Sequence, residues 1–529
     1  MTIYIIFVAI ILFLCILADK FSGRFGLPAL ILFMGIGMLF GCDGLFKIQF
    51  SNYTVAEEIC TVALSFIMFY GGFNTKWSTA KAIAPKAIFL STFGVLITAF
   101  LTSLFAYYVL DFSLAESFLI GSVLSSTDAA SVFSILRKKK LNLKYQTAPI
   151  LEIESGSNDP ASYMLTIIGI TLLNSNGLSK IPSLLFSQLT FGILIGVGTS
   201  IFAIYILSKT NFVSKNFYAV FIIGIIAFTL GISLLVNGNG FLSVYLLGII
   251  LGNAKIENKK ILIHFFDGIT GLAQILIFFL LGLLSFPHNF PQIVIPALLI
   301  ALFITLIARP IAVFAVLKPF KCKLNQCMLI SFAGLRGAAS IVFSIMVVAN
   351  SRDISFDIFH IVFMVALFSV SIQGSLLPLV ANKLNMVDNR EDVRKTFNDY
   401  QEESSITLMR FFIPEGHNWI GKKISDVHMP TNSLAIMIKR AGDTIVPNGD
   451  TVICVQDSVI LSVPSYEPSG NENLKEILIT NSNKWSNKKI KTLNLPNNVL
   501  IALIKRGSEN LIPDGETMLL PGDKIVLFK

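Results

Sequence analysis

The run Glu154-Ser155-Gly156-Ser157-Asn158-Asp159-Pro160 gathers two carboxylates, two hydroxyls and an amide within seven positions. On a helix Glu154 and Asn158 are four residues apart, as are Ser155 and Asp159, so these four side chains lie on adjacent stripes of one face. Hard oxygen donors grouped in this way suit a group-1 cation and do not suit a soft metal. A carboxylate among them also takes a proton, which makes Asp159 a place where the two compete. Pro160 has no amide to donate to the Gly156 carbonyl, which leaves a free acceptor within one turn of Asp159. Two other runs are poor continuous helix. In Ser125-Ser126-Thr127-Asp128 the side-chain oxygens compete for backbone donors and favour a break or cap. In Gly334-Leu335-Arg336-Gly337 the paired glycines invite unwinding.

The elements that must position these residues are apolar. Of 529 residues 54% are apolar and 14% charged, against about 25% charged in an ordinary soluble domain. The charge is concentrated beyond residue 381. Before it, thirteen apolar segments are marked, near 2–18, 27–40, 55–73, 83–110, 114–136, 148–173, 183–208, 217–235, 240–254, 262–285, 292–317, 326–349 and 355–381. A crossing helix needs roughly 20 apolar residues to span ~30 Å of hydrocarbon. The spacing therefore predicts an all-α polytopic membrane domain of about thirteen helices over residues 1–381.

The net charge of +9 is explained by topology and not by a nucleic-acid surface. Alternate loops hold 18 Lys and Arg (Lys20, Arg24, Lys76, Lys81, Lys86, Arg137–Lys140, Lys144, Lys209, Lys215, Lys255, Lys259, Lys260, Lys318, Lys321, Lys323), against 3 (Lys47, Lys180, Arg352) in the intervening ones. By the positive-inside rule the first set is cytoplasmic, the amino terminus outside and the tail cytoplasmic. The expected location is the inner cell membrane. No cleavable signal is evident.

Depth follows from 1.5 Å per helical residue. Asp159 falls about 16 Å from the inner end of its segment, Thr127 and Asp128 about 20 Å from the outer face, and Arg336 about 15 Å deep. Three segments thus bring ionisable residues to one level, where charge is costly and is by default functional. Asp128, Glu154 and Asp159 against Arg336 leave that level negative, as a cation site requires. Segments four to six and eleven to thirteen are seven apart, so they enter from opposite sides, as inverted repeats with broken helices require. Ser125, Ser126 and Ser157 are expected to bond back to their own helices. Arg309, before Pro310, falls about 26 Å from the outer face and is expected to snorkel toward the basic-loop interface. The six cysteines form no CxxC pair, so no redox or metal centre is expected.

The tail repeats itself at an offset of 66 residues. Trp419, Lys422-Lys423-Ile424, Pro430, Ile438-Lys439-Arg440, Pro447, Gly449, Thr451 and Asp457 recur as Trp485, Lys488-Lys489-Ile490, Pro496, Ile504-Lys505-Arg506, Pro513, Gly515, Thr517 and Asp523. Residues 382–405 read as a charged linker, and 406–465 and 472–529 as two small α/β modules. Each has a strand at 434–439 or 500–505, a Pro-x-Gly turn and a closing strand. An apolar strand, Arg, P-x-G-[DE]-T and a terminal Asp resemble the RCK_C, or TrkA-C, domain. That resemblance implies regulation by a small ligand, with a nucleotide as one candidate. No G-x-G-x-x-G is present in the tail, so NAD binding is not expected.

Ser126-Thr127-Asp128-Ala129-Ala130, the Glu-Ser-Gly-Ser-Asn-Asp-Pro run and Gly334-Leu335-Arg336-Gly337 resemble signature segments of the cation:proton antiporter-1 family, in its NhaP, cell-volume-regulation branch. The resemblance covers essentially residues 1–381. It implies a homodimeric secondary transporter, not an enzyme and without a cofactor, that exchanges K⁺ or Na⁺ for H⁺, with K⁺ favoured. Asp159 would carry cation and proton, with Asn158, Ser155 and Thr127 (through its backbone) nearby. Asp128 would offset helix-end dipoles, and Glu154 would pair with Arg336. An Asn-Asp pair in place of two aspartates marks electroneutral exchange. A ligand-gated cation channel stays open as the alternative, weakened by the lack of a TVGYG-like filter. A membrane receptor is the third class.

Overall fold

The protein is described from a computed structural model that covers residues 2–25, 28–75, 77–139, 141–174, 178–209, 213–254, 256, 259–351, 356–387, 406–427, 429, 433–440, 443–464, 474–480, 483, 485–493, 500–506, 509–511 and 513–528. Lys76, Lys140, Lys255, Arg352, Pro430, Pro496 and linker positions 388–405 lie outside the described residues. The chain divides into two compact units, Met1–Glu402 and Glu403–Lys529.

Every apolar segment marked in the sequence carries helix. These are α1 (Thr2–Phe25), α2 (Ala29–Phe40), α3 (Tyr53–Asn74), α4 (Ala84–Val109), and α5a (Leu114–Val123) with α5b (Ala129–Lys138). There follow α6 (Thr147–Leu173), α7 (Ile181–Lys209), α8 (Tyr218–Leu235), α9 (Gly240–Asn253), α10 (Lys259–Leu283) and α11 (Pro287–Leu317). Last come α12a (Leu324–Phe332) with α12b (Ala338–Asn350), and α13 (Ile358–Lys383). Seven of the described helices are long and apolar enough to cross a bilayer unaided. Helix is the expected form because lipid offers no partner to a backbone N–H or C=O. The ends are set by local chemistry. Asn52 and Asn239 accept from the amides of Val55 and Leu242, and Ser113 with Glu116 forms a capping box. Phe186, Leu194, Ile201 and Phe202 stand exposed along α7, a surface suited to acyl chains.

Several irregularities fall in pairs seven helices apart. Helices α4 and α11 each contain one π turn, Leu90–Gly94 and Ile304–Ala308. Helices 5 and 12 are both broken in the middle, and α6 and α13 both carry an internal proline, Pro160 and Pro378. This pairing is what inverted repeats predict. Two apolar clusters flank the breaks. One holds Ile120, Val123, Leu124, Tyr163 and Ile170, the other Val132, Phe133, Ile135, Leu136, Leu151 and Ile153. The polar residues of helices 5 and 6 lie between them in sequence, so a polar layer is enclosed by apolar packing on both sides.

Glycines let particular helices touch. A methyl group at Gly248 of α9 would fall on the Phe69 carbonyl of α3, and one at Gly252 on the Phe73 carbonyl. Gly37 of α2 and Gly282 of α10 approach each other in the same way. These are the small-residue contacts that allow close crossings in membranes.

In the tail the first module is an antiparallel sheet of order β1-β4-β2-β3, with β1 Ile406–Phe412, β2 Leu434–Arg440, β3 Asp443–Ile445 and β4 Ser458–Pro464. The second has order β5-β8-β6-β7, with β5 Leu474–Leu478, β6 Leu500–Arg506, β7 Glu509–Leu511 and β8 Lys524–Phe528. Even the register shift recurs, at Ala435/Met437 and Ile501/Leu503. Among the described residues, the helical part of each module is one 3₁₀ turn, Ile424–Asp426 or Ile490–Thr492. The repeated Arg and Asp form a fork. Arg440 donates to both oxygens of buried Asp457 at 2.9 and 2.8 Å, and Arg506 does the same to Asp523 at 2.8 and 2.8 Å. Burial works against the charge of Asp457, but hydrogen bonds from Arg440 and the Cys454 amide hold its carboxyl below the usual aspartate range. The repeated Thr closes the Pro-x-Gly turn, its hydroxyl accepting from the amide of Asn448 at 2.9 Å or Asp514 at 3.0 Å.

The α3–α9 crossing gives a direct test. Gly248→Ala should cost about 1–3 kcal/mol through overpacking. Gly198→Ala, on the open side of α7 with nothing within 4 Å, gains helix propensity without a clash. Thermal unfolding of the two variants in detergent should shift in opposite directions or, at the least, fall for Gly248→Ala alone.

Candidate functional site

Helices 5 and 12 break at the same place in space. Between α5a and α5b, residues Leu124–Asp128 leave helical geometry, and between α12a and α12b residues Ala333–Gly337 do so. The Asp128 amide donates to the Leu335 carbonyl at 2.8 Å, so each interruption supplies a partner for the other. Asp128 then caps α5b, its carboxylate accepting from the amide and hydroxyl of Ser131 at 3.3 and 2.6 Å. Negative charge at a helix N-terminus is favourable, and Gly337, which begins α12b, packs against the same side chain.

Helix α6 runs past this crossing and presents its oxygen-bearing face to it. The Ser155 hydroxyl donates to the Thr127 carbonyl at 2.8 Å. The Asn158 amide donates to the Thr127 hydroxyl at 2.6 Å and to Glu154 Oε1 at 3.3 Å. Asp159 is 4% exposed and accepts a hydrogen bond from the Ser126 hydroxyl. Among the described residues its hydrogen-bond partner is a hydroxyl and not a cation. Thr127, Asp128, Ser155, Asn158 and Asp159 are therefore brought together. A cavity of about 530 Å³ reaches them and is bordered by Ser126, Thr127, Asp128, Ser155 and Asp159.

The expected pairing of Glu154 with Arg336 is not what the structure contains. Arg309 takes that place, its Nη2 lying 2.9 Å from both carboxylate oxygens of Glu154, with both side chains 1% exposed. The reason is one of level. Glu154 lies about 10 Å along α6 from Thr147, and Arg309 about 12 Å along α11 from Leu317. Depth counted from the other end of α11 overshoots, because that helix has 31 residues and exceeds the hydrocarbon thickness. Arg309 accordingly does not snorkel. The signal for it was present in the sequence, as a lone arginine inside a long apolar run.

Arg336 has a different task. Its Nη1 donates to the Ser126 carbonyl at 2.7 Å, one of the groups that the break in helix 5 leaves without a helical donor. Its own amide donates to the Ser369 hydroxyl at 3.1 Å, in the π turn of α13. Gln373, in the same turn, donates to the Phe332 carbonyl at 2.5 Å, so both edges of the α12 break are held by α13.

Two serines expected to serve their own helices do not. Ser126 reaches Asp159, and Ser157 donates to the Tyr245 hydroxyl of α9 at 3.1 Å. Ser125 does bond locally, to the Ser122 carbonyl at 2.6 Å. Asn239, unmarked in the sequence, donates to the Pro160 carbonyl at 2.8 Å and ties α9 to α6.

Removing one member of the buried pair leaves the other charged and alone, at a cost of about 3–5 kcal/mol in soluble analogues. Glu154→Gln and Arg309→Met should each lower the yield and thermal stability of purified protein, and the double variant should regain part of the loss. The same cycle between Glu154 and Arg336 should give a smaller coupling.

Comparison with known proteins identifies the family and the fold. The model of the sodium/hydrogen exchanger, transmembrane, family matches residues 9–383, and that of the TrkA-C domain matches residues 408–465 and 474–528. The K(+)/H(+) antiporter NhaP of Alkalimonas amylolytica is 31% identical over 463 residues, covering 86% of this chain and 80% of that protein. The K(+)/H(+) antiporter NhaP2 of Shewanella oneidensis is 30% identical over 461 residues, covering 86% and 79%. The structure of the sodium proton antiporter MjNhaP1 from Methanocaldococcus jannaschii at pH 8 matches with a TM-score of 0.63 over 72% of this chain and 99% of that one. At 23% identity that match establishes a common fold. The chain belongs to the sodium/hydrogen exchanger family and carries two copies of the TrkA-C domain.

Proposed function

We propose that this chain exchanges a monovalent cation for protons, one for one, with Asp159 as the carboxylate that carries each in turn and potassium preferred over sodium. The observation that carries the reading is a buried aspartate at a helix crossing, hydrogen-bonded to a hydroxyl and bordering a cavity. A carboxylate paired with Arg would already be neutralised; Asp159 is left for a proton or a cation to neutralise. Desolvation disfavours the bare anion, so the proton-loaded and cation-loaded forms are those that change sides. Competition for one group then couples the two fluxes without a second site.

Charge balance supports one-for-one exchange. Among the described residues of the layer, Asp128, Glu154 and Asp159 stand against Arg309 and Arg336. With these five ionised, the formal sum at the helix crossing is one negative charge, which a single proton or monovalent cation cancels; Glu152 and Asp267, which border the same cavity, lie outside that sum. Asn158 is neutral and adds none. Ser155 and Asn158, fixed on the Thr127 carbonyl and hydroxyl, hold oxygens around Asp159 that suit a group-1 ion. Asp128 contributes through the helix ends that it caps. Potassium is favoured because relatives that match 86% of this chain are K(+)/H(+) antiporters by name. Those names also favour antiport over a gated channel.

The remaining readings follow from the sequence. The protein sits in the inner cell membrane with its amino terminus outside and its tail in the cytoplasm. It works as a homodimer, and its TrkA-C copies bind a small ligand, with a nucleotide as the first class to test. Ligand at the tail biases the transport unit only through unequal affinity for its states. As module boundaries, 406–465 and 472–529 fit the residues that the TrkA-C model matches. The end of the transport unit moves outward from 381. Helix α13 continues to Lys383, the Lys144 amide donates to the Met386 carbonyl at 2.9 Å, and Val387 bridges to Leu143.

Asp159→Asn keeps the shape but cannot alternate between proton and cation. In liposomes bearing an internal pH indicator it should lose cation-driven proton flux, and near-normal exchange would sink the assignment. A channel instead passes cations down an imposed membrane potential without moving protons. Chain termination after Val387 removes no residue of the site. That protein should still exchange, with its dependence on pH or cation altered, and an unchanged profile would remove the tail as a regulator under those conditions.

A further inference from the structure

The cavity that reaches Asp159 has a second polar wall, which neither the transport mechanism nor the helix breaks use. It is built by α3 and α10. On α10, Asp267, Thr270 and Gln274 follow at intervals of three and four residues, so they form one stripe, and all three border the cavity. From α3, Tyr70 and Asn74 border it, again one turn apart. The Tyr70 hydroxyl donates to Asp267 Oδ1 at 2.7 Å, which fixes the carboxylate against α3. Asp267 lies about 12 Å along α10 from Lys259, whereas Asp159 lies about 18 Å along α6 from Thr147. Both counts start from helix ends that adjoin basic loops, so Asp267 is the shallower group by roughly one turn.

The wall also holds polar groups without partners. Asn74 is 2% exposed, yet among the described residues neither its amide nitrogen nor its oxygen has a hydrogen-bond partner. The Thr270 hydroxyl, on a residue 8% exposed, also has none among the described residues. A buried polar group left unsatisfied costs about 1–3 kcal/mol, so two bordering one cavity point to something that enters and satisfies them. The donors are a carboxylate, an amide oxygen and a hydroxyl, all hard oxygens, and one carries a negative charge. That chemistry fits a dehydrating monovalent cation.

We infer that Asp267, Asn74 and Thr270 form a second cation station in the cavity, where the ion exchanges part of its hydration shell before it reaches Asp159. The inference rests on the antiport reading and adds a residue set that determines cation affinity. Asp267 holds the ion, and Asn74 and Thr270 supply oxygens as water leaves. Tyr70 is a positioning residue that acts through Asp267.

The test uses full-length protein in liposomes, with K⁺ and Na⁺ each titrated at fixed pH and proton movement as the readout. Asp267→Asn should raise the apparent KM for cation roughly three- to tenfold while coupled exchange persists. Asp267→Glu should restore most of the affinity and serves where the asparagine variant is poorly produced. Asn74→Ala and Thr270→Val change no charge, and each should also raise KM. If only Asp267→Asn raises it, the aspartate acts by its field alone and the coordinating station is overturned. If all three variants keep the KM of the unmodified protein, the station is likewise overturned while the antiport reading stands. If the unmodified protein shows no cation-coupled proton flux, the antiport reading itself has failed, and the station with it.

Discussion

The hydrogen bond from the Asp128 amide to the Leu335 carbonyl, 2.8 Å long, lets two interrupted helices exist where lipid offers no substitute partner. An interruption frees backbone donors and acceptors, and in a bilayer each must find protein or an enclosed cavity. Crossing the two breaks solves much of this at once. Arg336 covers the Ser126 carbonyl, the Asp128 carboxylate covers the start of α5b, and Ser155 covers the Thr127 carbonyl. Two of these side chains, Asp128 and Ser155, also border the cavity at Asp159. The site is thus a by-product of repairing the backbone, and its residues cannot be altered singly without exposing a polar group.

The second constraint is charge. Five ionisable groups around one helix crossing would be prohibitive if each stood alone. Glu154 and Arg309 remove each other as a close pair, and Arg336 and Asp128 are set against helix-end dipoles of opposite sign. What is left is Asp159, which has a hydroxyl for company. An arrangement that neutralised all five would bind no ion, and one that neutralised fewer would not fold well.

The tail obeys a simpler logic. Each copy is a four-stranded sheet too small to have a large core, and each pins its central strands with the same Arg–Asp fork between residues 17 apart. The 66-residue offset therefore marks more than sequence kinship. It repeats a buried pair, a bulge and a Thr-closed turn that have to occur together. The two copies still differ where Val455-Gln456 in the first stands against Pro521-Gly522 in the second, so equal architecture does not imply equal ligands.

Much of this was legible in the sequence because it depends on local chemistry. Helix was dictated by the length of the apolar runs, the breaks by Ser125–Asp128 and Gly334–Gly337, and the oxygen face of α6 by spacings of four. The duplicated tail was visible because its fork and turn residues recur at fixed offsets. What only the tertiary structure decided was which groups meet. Arg309 and Arg336 are both lone arginines in apolar helices; the family resemblance assigned Arg336 to Glu154, and a depth counted from one end of its helix sent Arg309 to the interface. Helix α11 is longer than the bilayer is thick and contains a π turn at Ile304–Ala308, just before Arg309, so that count misplaced its side chain. Ser126, Tyr245, Asn239 and Gln373 were out of reach for the same reason. Their partners lie on other helices, and a partner across a helix interface is fixed by crossing angle and close glycine contact, which no spacing along one chain encodes.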